Sequence, residues 1–167
     1  MNSLPAWTLE PAGPADLEPV VELKAQVMRA DLERLGRWDP DRSRERVRKS
    51  FSTRYTSVLL VEGAFAGCAT IRPDEQGGRH LELFYLAPHL QGRGLGTAVL
   101  RHLLADADAA GEPMRLVVLQ GGAARRLYER HGFTVVHEDP IDVFMLREPA
   151  PPAGTGPDAD VLAGPAA

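Results

Sequence analysis

Three glycines stand at alternate positions in the stretch GRGLG, at Gly92, Gly94 and Gly96, with Arg93 between the first two and Gln91 just before them. The longer run FYLAPHLQGRGLGT, residues 84 to 97, begins as an apolar strand. It leads into TAVLRHLLADADAA, which has helical spacing, so the glycines join a strand to a helix start. A helix start presents unpaired backbone N–H groups and the positive end of the macrodipole, and glycines leave no Cβ between that backbone and a ligand. Arg93 adds a positive charge beside it. This is chemistry for holding an anion, a phosphate above all. Two familiar nucleotide loops are excluded. A P-loop needs Lys and then Ser or Thr after its last glycine, whereas Gly96 is followed by Thr97 and Ala98. A dinucleotide fingerprint needs a third glycine at the sixth position, which is Thr97 counted from Gly92 and Val99 counted from Gly94. One glycine would serve a tight turn; three, flanked by Gln91 and Arg93, read as a cradle for a pyrophosphate.

Proton chemistry has fewer candidates. In HLELFYL, residues 80 to 86, strict alternation puts His80, Glu82 and Phe84 on one face and Leu81, Leu83 and Tyr85 on the other. Glu82 is a carboxylate in an apolar strand: either a general base or a structural glutamate facing an arginine. His80, nearer the strand's outer end, is the second candidate base or a solvated side chain. Tyr128, in RRLYERHGF, carries a phenol that is neutral at pH 7 and suited to donating a proton, or else is a core aromatic. His131, just before Gly132, reads as a helix C-terminal interaction. The single cysteine, Cys68, lies among apolar residues and reads as a small buried hydrophobe, so neither a disulfide nor a cysteine-rich zinc site is expected, and no metal.

The elements that must position these groups follow from periodicity. Trp7 to Glu10 is a short strand, and apolar positions from Leu17 to Leu35 recur at three and four, predicting a helix to about Gly36. WDPD breaks it, and a charged helix follows from Ser43 to Ser52. There the run DRSRERVRKS alternates arginine with acids, the pattern of a solvated face. SVLLVEGAFAGCATIRP is a hairpin about Glu62 and Gly63, and residues 80 to 86 are the next strand. A helix from Gly94 to Ala110, a strand MRLVVL, a helix AARRLYERHG and two strands, FTVVHE and DVFMLR, complete the order β-α-α-β-β-β-α-β-α-β-β. That order predicts an α/β (α+β layered) domain with one mixed, mostly antiparallel central sheet flanked by helices, rather than a doubly wound parallel one.

The 167 residues suit one domain, placed at 1–148, with a Pro/Gly/Ala-rich tail at 149–167 expected to be flexible. A net charge of −4 excludes a general nucleic-acid binder, and no apolar run is long enough to span a membrane, so a cytoplasmic protein is expected.

With these residues in view, the chain resembles the GNAT superfamily of acetyl-CoA-dependent N-acetyltransferases. The family's core motif, Gln or Arg, two residues, Gly, one residue, then Gly or Ala, stands here across Gln91, Gly92, Arg93, Gly94, Leu95 and Gly96. FYLAP is similar to its fourth strand with the proline, Pro88, that follows, and ARRLYERHGF, residues 124 to 133, is similar to its second motif. The resemblance implies a GNAT-like domain using acetyl-CoA as cosubstrate. The backbone of Phe84, Tyr85 and Leu86 would bond the pantetheine arm as an added strand, and the N–H groups from Gly92 to Thr97 would hold the pyrophosphate. Tyr128 would lie near the thioester sulfur as the acid. Some family members carry a carboxylate base on the strand of Glu82. One departure stands out: the family often has Asn six residues before that tyrosine, and this chain has Gly122.

The resemblance places the acceptor between the two early helices, where Trp38 would form a lid or stacking surface and Glu33 or Asp39 would hold a cationic amine. The expected acceptor is an amine of a small molecule or peptide, attacked directly in a ternary complex. A protein amino group, a longer acyl-CoA, and a regulatory module that binds CoA without chemistry stay open beside it. The apolar strand VFMLR could pair two copies in a homodimer, or could lie inside the sheet.

Overall fold

The computed structural model describes residues 3–151, so the expectation for the tail falls largely outside the described residues. Seven strands form one sheet in the order β1-β2-β3-β4-β5-β7-β6. They are β1 (Trp7–Pro11), β2 (Thr56–Val61), β3 (Ala64–Pro73), β4 (Arg79–Leu86), β5 (Met114–Leu119), β6 (Thr134–Glu138) and β7 (Asp142–Arg147). Only β4 and β5 run parallel; all the other pairings are antiparallel. The helices are α1 (Leu17–Arg34), α2 (Pro40–Ser50), α3 (Leu95–Ala109) and α4 (Ala124–Arg130). The sequence of elements matches the expected one.

α2 begins three residues earlier than its periodicity suggests. The Asp39 side chain accepts from the N–H groups of Asp41 and Arg42, and Pro40 occupies the first turn, where its missing N–H costs nothing. WDPD is thus a helix start as well as a break. The hairpin between β2 and β3 needs two residues with positive φ, and Glu62 (φ 50°) supplies one beside Gly63 (φ 82°).

Two apolar layers cover the sheet. On one face α3 buries Leu95, Val99, Leu100, Leu103, Leu104 and Ala107 against Leu59, Leu81, Met114, Phe133 and Met145. Each such leucine contributes roughly 1.5–3 kcal/mol by leaving water. On the other face Val20, Val21 and Leu23 of α1 and Val47 of α2 pack on Cys68 and Leu83. Arg147 of β7 closes the lower edge with a two-pronged pair to Asp108 at the end of α3, at 2.6 and 3.0 Å. β7 is paired on both sides, with β5 and with β6, so VFMLR is an interior strand rather than a surface for a second copy. Among the described residues no helix is long and apolar enough to cross a membrane.

Candidate active site

β4 and β5 share only two paired positions, Arg79 with Met114 and His80 with Arg115. Beyond them β4 stays on β3 as far as Leu86, while β5 stays on β7 along its whole length, so the strands separate and the edge of residues 81–86 toward β5 has no ladder partner among the described residues. A bulge drives the separation. Thr70 faces Glu82 and Cys68 faces Tyr85, which leaves Leu83 and Phe84 both opposite Ala69. Leu83 takes φ 50°, and the buried Cys68 thiol donates to its carbonyl at 3.0 Å. Gly67 lets the strands close up here: a Cβ on it would stand 2.5 Å from the Tyr85 carbonyl oxygen.

The bulge also breaks the expected alternation. Glu82, Leu83 and Tyr85 all face α1 and α2, whereas Phe84 joins the α3 layer with Leu81 and Leu86. Glu82 and Phe84 therefore do not share a face. A two-residue period cannot pass through an inserted residue.

The wedge between the strands is a cavity of about 660 Å³. Its walls are residues 81–86 of β4 and 116–119 of β5; its far end is Gln91, Gly92, Gly94, Gly96 and Thr97, and its floor includes Gly122, Ala124 and Tyr128. Gly92 (φ 74°) and Gly94 (φ 86°) need left-handed backbone, Gly94 directly before the first turn of α3. Gly96 needs none, and a Cβ there would meet nothing within 4 Å. Inside a helix glycine costs about 1 kcal/mol against alanine, so the chain's own fold does not account for Gly96. Open space above a helix N-terminus, kept clear of side chains, fits a phosphate-bearing group.

Not every motif side chain enters that space. Gln91 turns back to donate to the Leu86 carbonyl at 2.9 Å, tying the loop to the strand end. Leu95 is buried in the core, and Arg93 is exposed and outside the wall of either cavity. Where the resemblance lacks its asparagine, Asp31 of α1 lies beside the loop: a Cβ on Gly122 would be 3.4 Å from its Oδ2, and Asp31 lines the wedge.

A second cavity, about 820 Å³, opens between α1, α2 and the sheet. Both cavities share Glu82, Leu83 and Tyr85, so they meet at the bulge. Tyr128 is buried, edge-on to Phe133 at 5.4 Å, and burial raises its phenol above the ordinary tyrosine range, which keeps it a proton donor. Burial raises Tyr85 in the same direction. Glu82 is held at both oxygens, by Arg72 and by the Ser50 hydroxyl at 2.9 Å, so the arginine partner foreseen as the structural alternative is present while the carboxylate still borders both cavities. His80 lines the helix-side cavity with Nδ1 3.2 Å from Asp74. Burial pushes the Cys68 thiol up to about 12, in keeping with a core residue. His131 Nδ1 lies 2.7 Å from the Leu127 carbonyl at the end of α4.

Two residues expected on the substrate side lie away from both cavities. Glu33 pairs with Arg29 at 2.8 Å and Trp38 lies under the same guanidinium at 5.3 Å, and neither lines either of these two cavities. They form an outer cluster in which one arginine occupies both the carboxylate and the ring face. Asp39 does line the helix-side cavity, with its carboxylate used as the α2 cap.

The helix-side cavity also holds cations that the sequence reading did not single out. Arg42, Arg46 and Lys49 of α2 line the helix-side cavity, joined by Lys24 of α1 and by Arg37. The run read as a solvated face contains a stripe at i, i+4 and i+7 with no acid on it, a signal available in the sequence. Among the described residues no cluster of three His, Cys, Asp or Glu is arranged for a metal.

This architecture recurs in known proteins. The PaiA N-acetyltransferase of Thermoplasma acidophilum, solved with coenzyme A, superposes with a TM-score of 0.68 at 16% identity over 86% of this chain and 99% of its own. The ribosomal-protein-S18-alanine N-acetyltransferase of Escherichia coli gives 0.67 at 20% identity, over 90% and 98%. N-acetylglutamate synthase of Neisseria gonorrhoeae, complexed with coenzyme A and L-arginine, gives 0.60 at 16% identity, over 86% of this chain and 33% of its own. No curated protein sequence matches. The profile of the Acetyltransferase (GNAT) family matches residues 21–133, more than half of the sequence and including the glycine loop, the bulged strand and the Tyr128 helix. By that match the chain belongs to the GNAT acetyltransferase family.

Proposed function

We propose that the protein is an N-acetyltransferase that passes the acetyl group of acetyl-CoA directly to an amine of a small molecule or peptide in a ternary complex. The observation that carries this reading is the meeting of two cavities at the bulge of β4, one ending in a phosphate-type cradle and the other open between α1 and α2. When bound, acetyl-CoA supplies an activated acetyl group as a thioester.

The chain's own groups have distinct tasks. The N–H groups from Gly92 to Thr97 hold the pyrophosphate at the positive end of α3. The free edge of Phe84, Tyr85 and Leu86 takes the pantetheine arm as an added strand, and an N–H near Leu86 meets the developing oxyanion. Tyr128, kept neutral by burial, gives a proton to the departing thiolate. Glu82 receives the amine proton, directly or through a water, because its carboxylate borders both cavities. Asp31 takes up the position beside the loop at Gly122.

Thermal melts with acetyl-CoA and release of free thiol across an amine panel test the proposal. Stabilisation by acetyl-CoA together with amine-dependent thiol release supports it. No shift at saturating cosubstrate would remove it; a shift without thiol release from any amine would leave a binding module instead.

A further inference from the structure

We propose that the acceptor amine also carries an anionic group, a carboxylate or similar oxyanion a few bonds from its nitrogen, and that Lys24, Ser43 and Arg46 hold it at the α1–α2 end of the helix-side cavity. This rests on the acetyl-transfer reading and names its substrate class.

The cavity's charges are used unequally. Three of its four carboxylates are engaged by the chain itself: Asp39 caps α2, Glu82 is held by Arg72 and Ser50, and Asp139 accepts from the N–H groups of Ile141 and Asp142, while the Asp142 carboxylate has no partner among the described residues. Its cations are not. Among the described residues, Lys24, Arg37, Arg42, Arg46 and Lys49 have no carboxylate partner within 4.0 Å.

Two buried atoms locate the site. Lys24 is only 6% exposed, and among the described residues its ammonium, able to give three hydrogen bonds, reaches a single carbonyl, that of Ser43, at 3.5 Å. The Ser43 hydroxyl, in a residue 7% exposed and also in the cavity wall, has no hydrogen-bond partner among the described residues. A buried donor left unsatisfied and a buried ammonium without a counter-charge are both costly, and one oxyanion answers both. Arg46, exposed on α2 and in the wall of the same cavity, adds a second positive charge, which helps to depress the Lys24 ammonium and acts on Tyr85 at the junction and on Asp142. Two cations lining one cavity with an idle hydroxyl make a setting that an anion neutralises. Because Tyr85 and Glu82 lie where the cavities meet, an oxyanion held here leaves the amine of a small molecule facing the bulge.

The test is isothermal calorimetry and thiol release on CoA-loaded or acetyl-CoA-supplied full chain, with a panel of L-amino acids and the matching L-amino-acid amides. The amino acids should bind and react better than their amides by about tenfold or more, the scale of one charge-assisted hydrogen bond. Arg46→Ala and Ser43→Ala should each raise KM for the preferred anionic amine and narrow that gap, with CoA affinity kept. Equal binding of acids and amides, binding of neither, or an unchanged KM in both variants would overturn the inference. The two readings fail separately: neutral amines acetylated in preference would sink this one and leave acetyl transfer standing. If CoA does not bind, the same calorimetry on the free chain still decides the anion site.

Discussion

The thiol of Cys68 in β3 donates a 3.0 Å hydrogen bond to the carbonyl of Leu83, the residue whose φ of 50° sets the bulge of β4. Burial pushes that thiol up to about 12, so it remains a donor through the neutral range. Cys68→Ala would leave the Leu83 carbonyl unsatisfied at a cost of roughly 1–3 kcal/mol. Urea denaturation should show that loss, with a smaller one for Cys68→Ser, which keeps a donor. Because the bulge frees the edge of residues 81–86, acetyl-CoA affinity should fall as well in Cys68→Ala.

Gly96 separates ligand demands from folding demands. Its backbone is ordinary and its Cβ position is open, so Gly96→Ala should stabilise the free protein by about 0.5–1 kcal/mol. The same methyl would stand over the proposed phosphate site and weaken CoA. A melt without ligand and a CoA titration should therefore move in opposite directions. Gly94 makes a poorer probe, since its φ of 86° strains any side chain before a ligand is considered.

Much of the fold was legible because its signals are local. The hairpin at Gly63, the glycine loop before α3 and the apolar spacing of that helix each lie within one short window. The site was legible only along single elements. The bulge at Leu83 comes from a pairing across β3 and β4, so alternation misassigned Phe84. Glu33 and Trp38 stand out by residue type, but that one arginine, Arg29, touches both is visible only once the helix and the segment after it are placed together. Lys24 resembles any helix lysine until α2 packs over it, and Arg46 becomes a cavity residue by the same packing.

Tyr128→Phe removes one hydroxyl from a buried ring and keeps its packing on Phe133. Turnover should fall on the order of a hundredfold, the lower end for a lost general acid. CoA affinity and melting temperature should stay close to wild type. Undiminished turnover would assign the proton to water.

Glu82→Gln keeps shape: its amide oxygen can face Arg72 while its NH2 turns to the Ser50 hydroxyl, which can accept. If the carboxylate receives the amine proton, kcat should drop on the order of a hundredfold or more. Circular dichroism should show the fold intact. Full activity would pass the role to His80, testable by His80→Gln.

Lys24 makes a prediction that needs no substrate. Burial, with Arg46 adding to it, lowers its ammonium from 10.5 to about 8. An unfolded chain holds that proton up to about 10.5, so between pH 8 and 10.5 the unfolded state binds more protons and folding stability should rise with pH. Below pH 8 both states are protonated, and the charge is a constant burden of up to roughly 3 kcal/mol, at 1.36 kcal/mol per pKa unit. Lys24→Met keeps the stem's packing and removes the charge. The variant should be more stable than wild type at pH 7, and the difference should shrink as pH rises toward 10.5. Urea denaturation of both proteins from pH 7 to 10 isolates this one group, since every other titration is common to the two. Parallel curves would mean that the Lys24 charge is not penalised by the fold. A convergent pair would show a lysine kept at a cost to stability, which is what a residue retained for binding an anion requires.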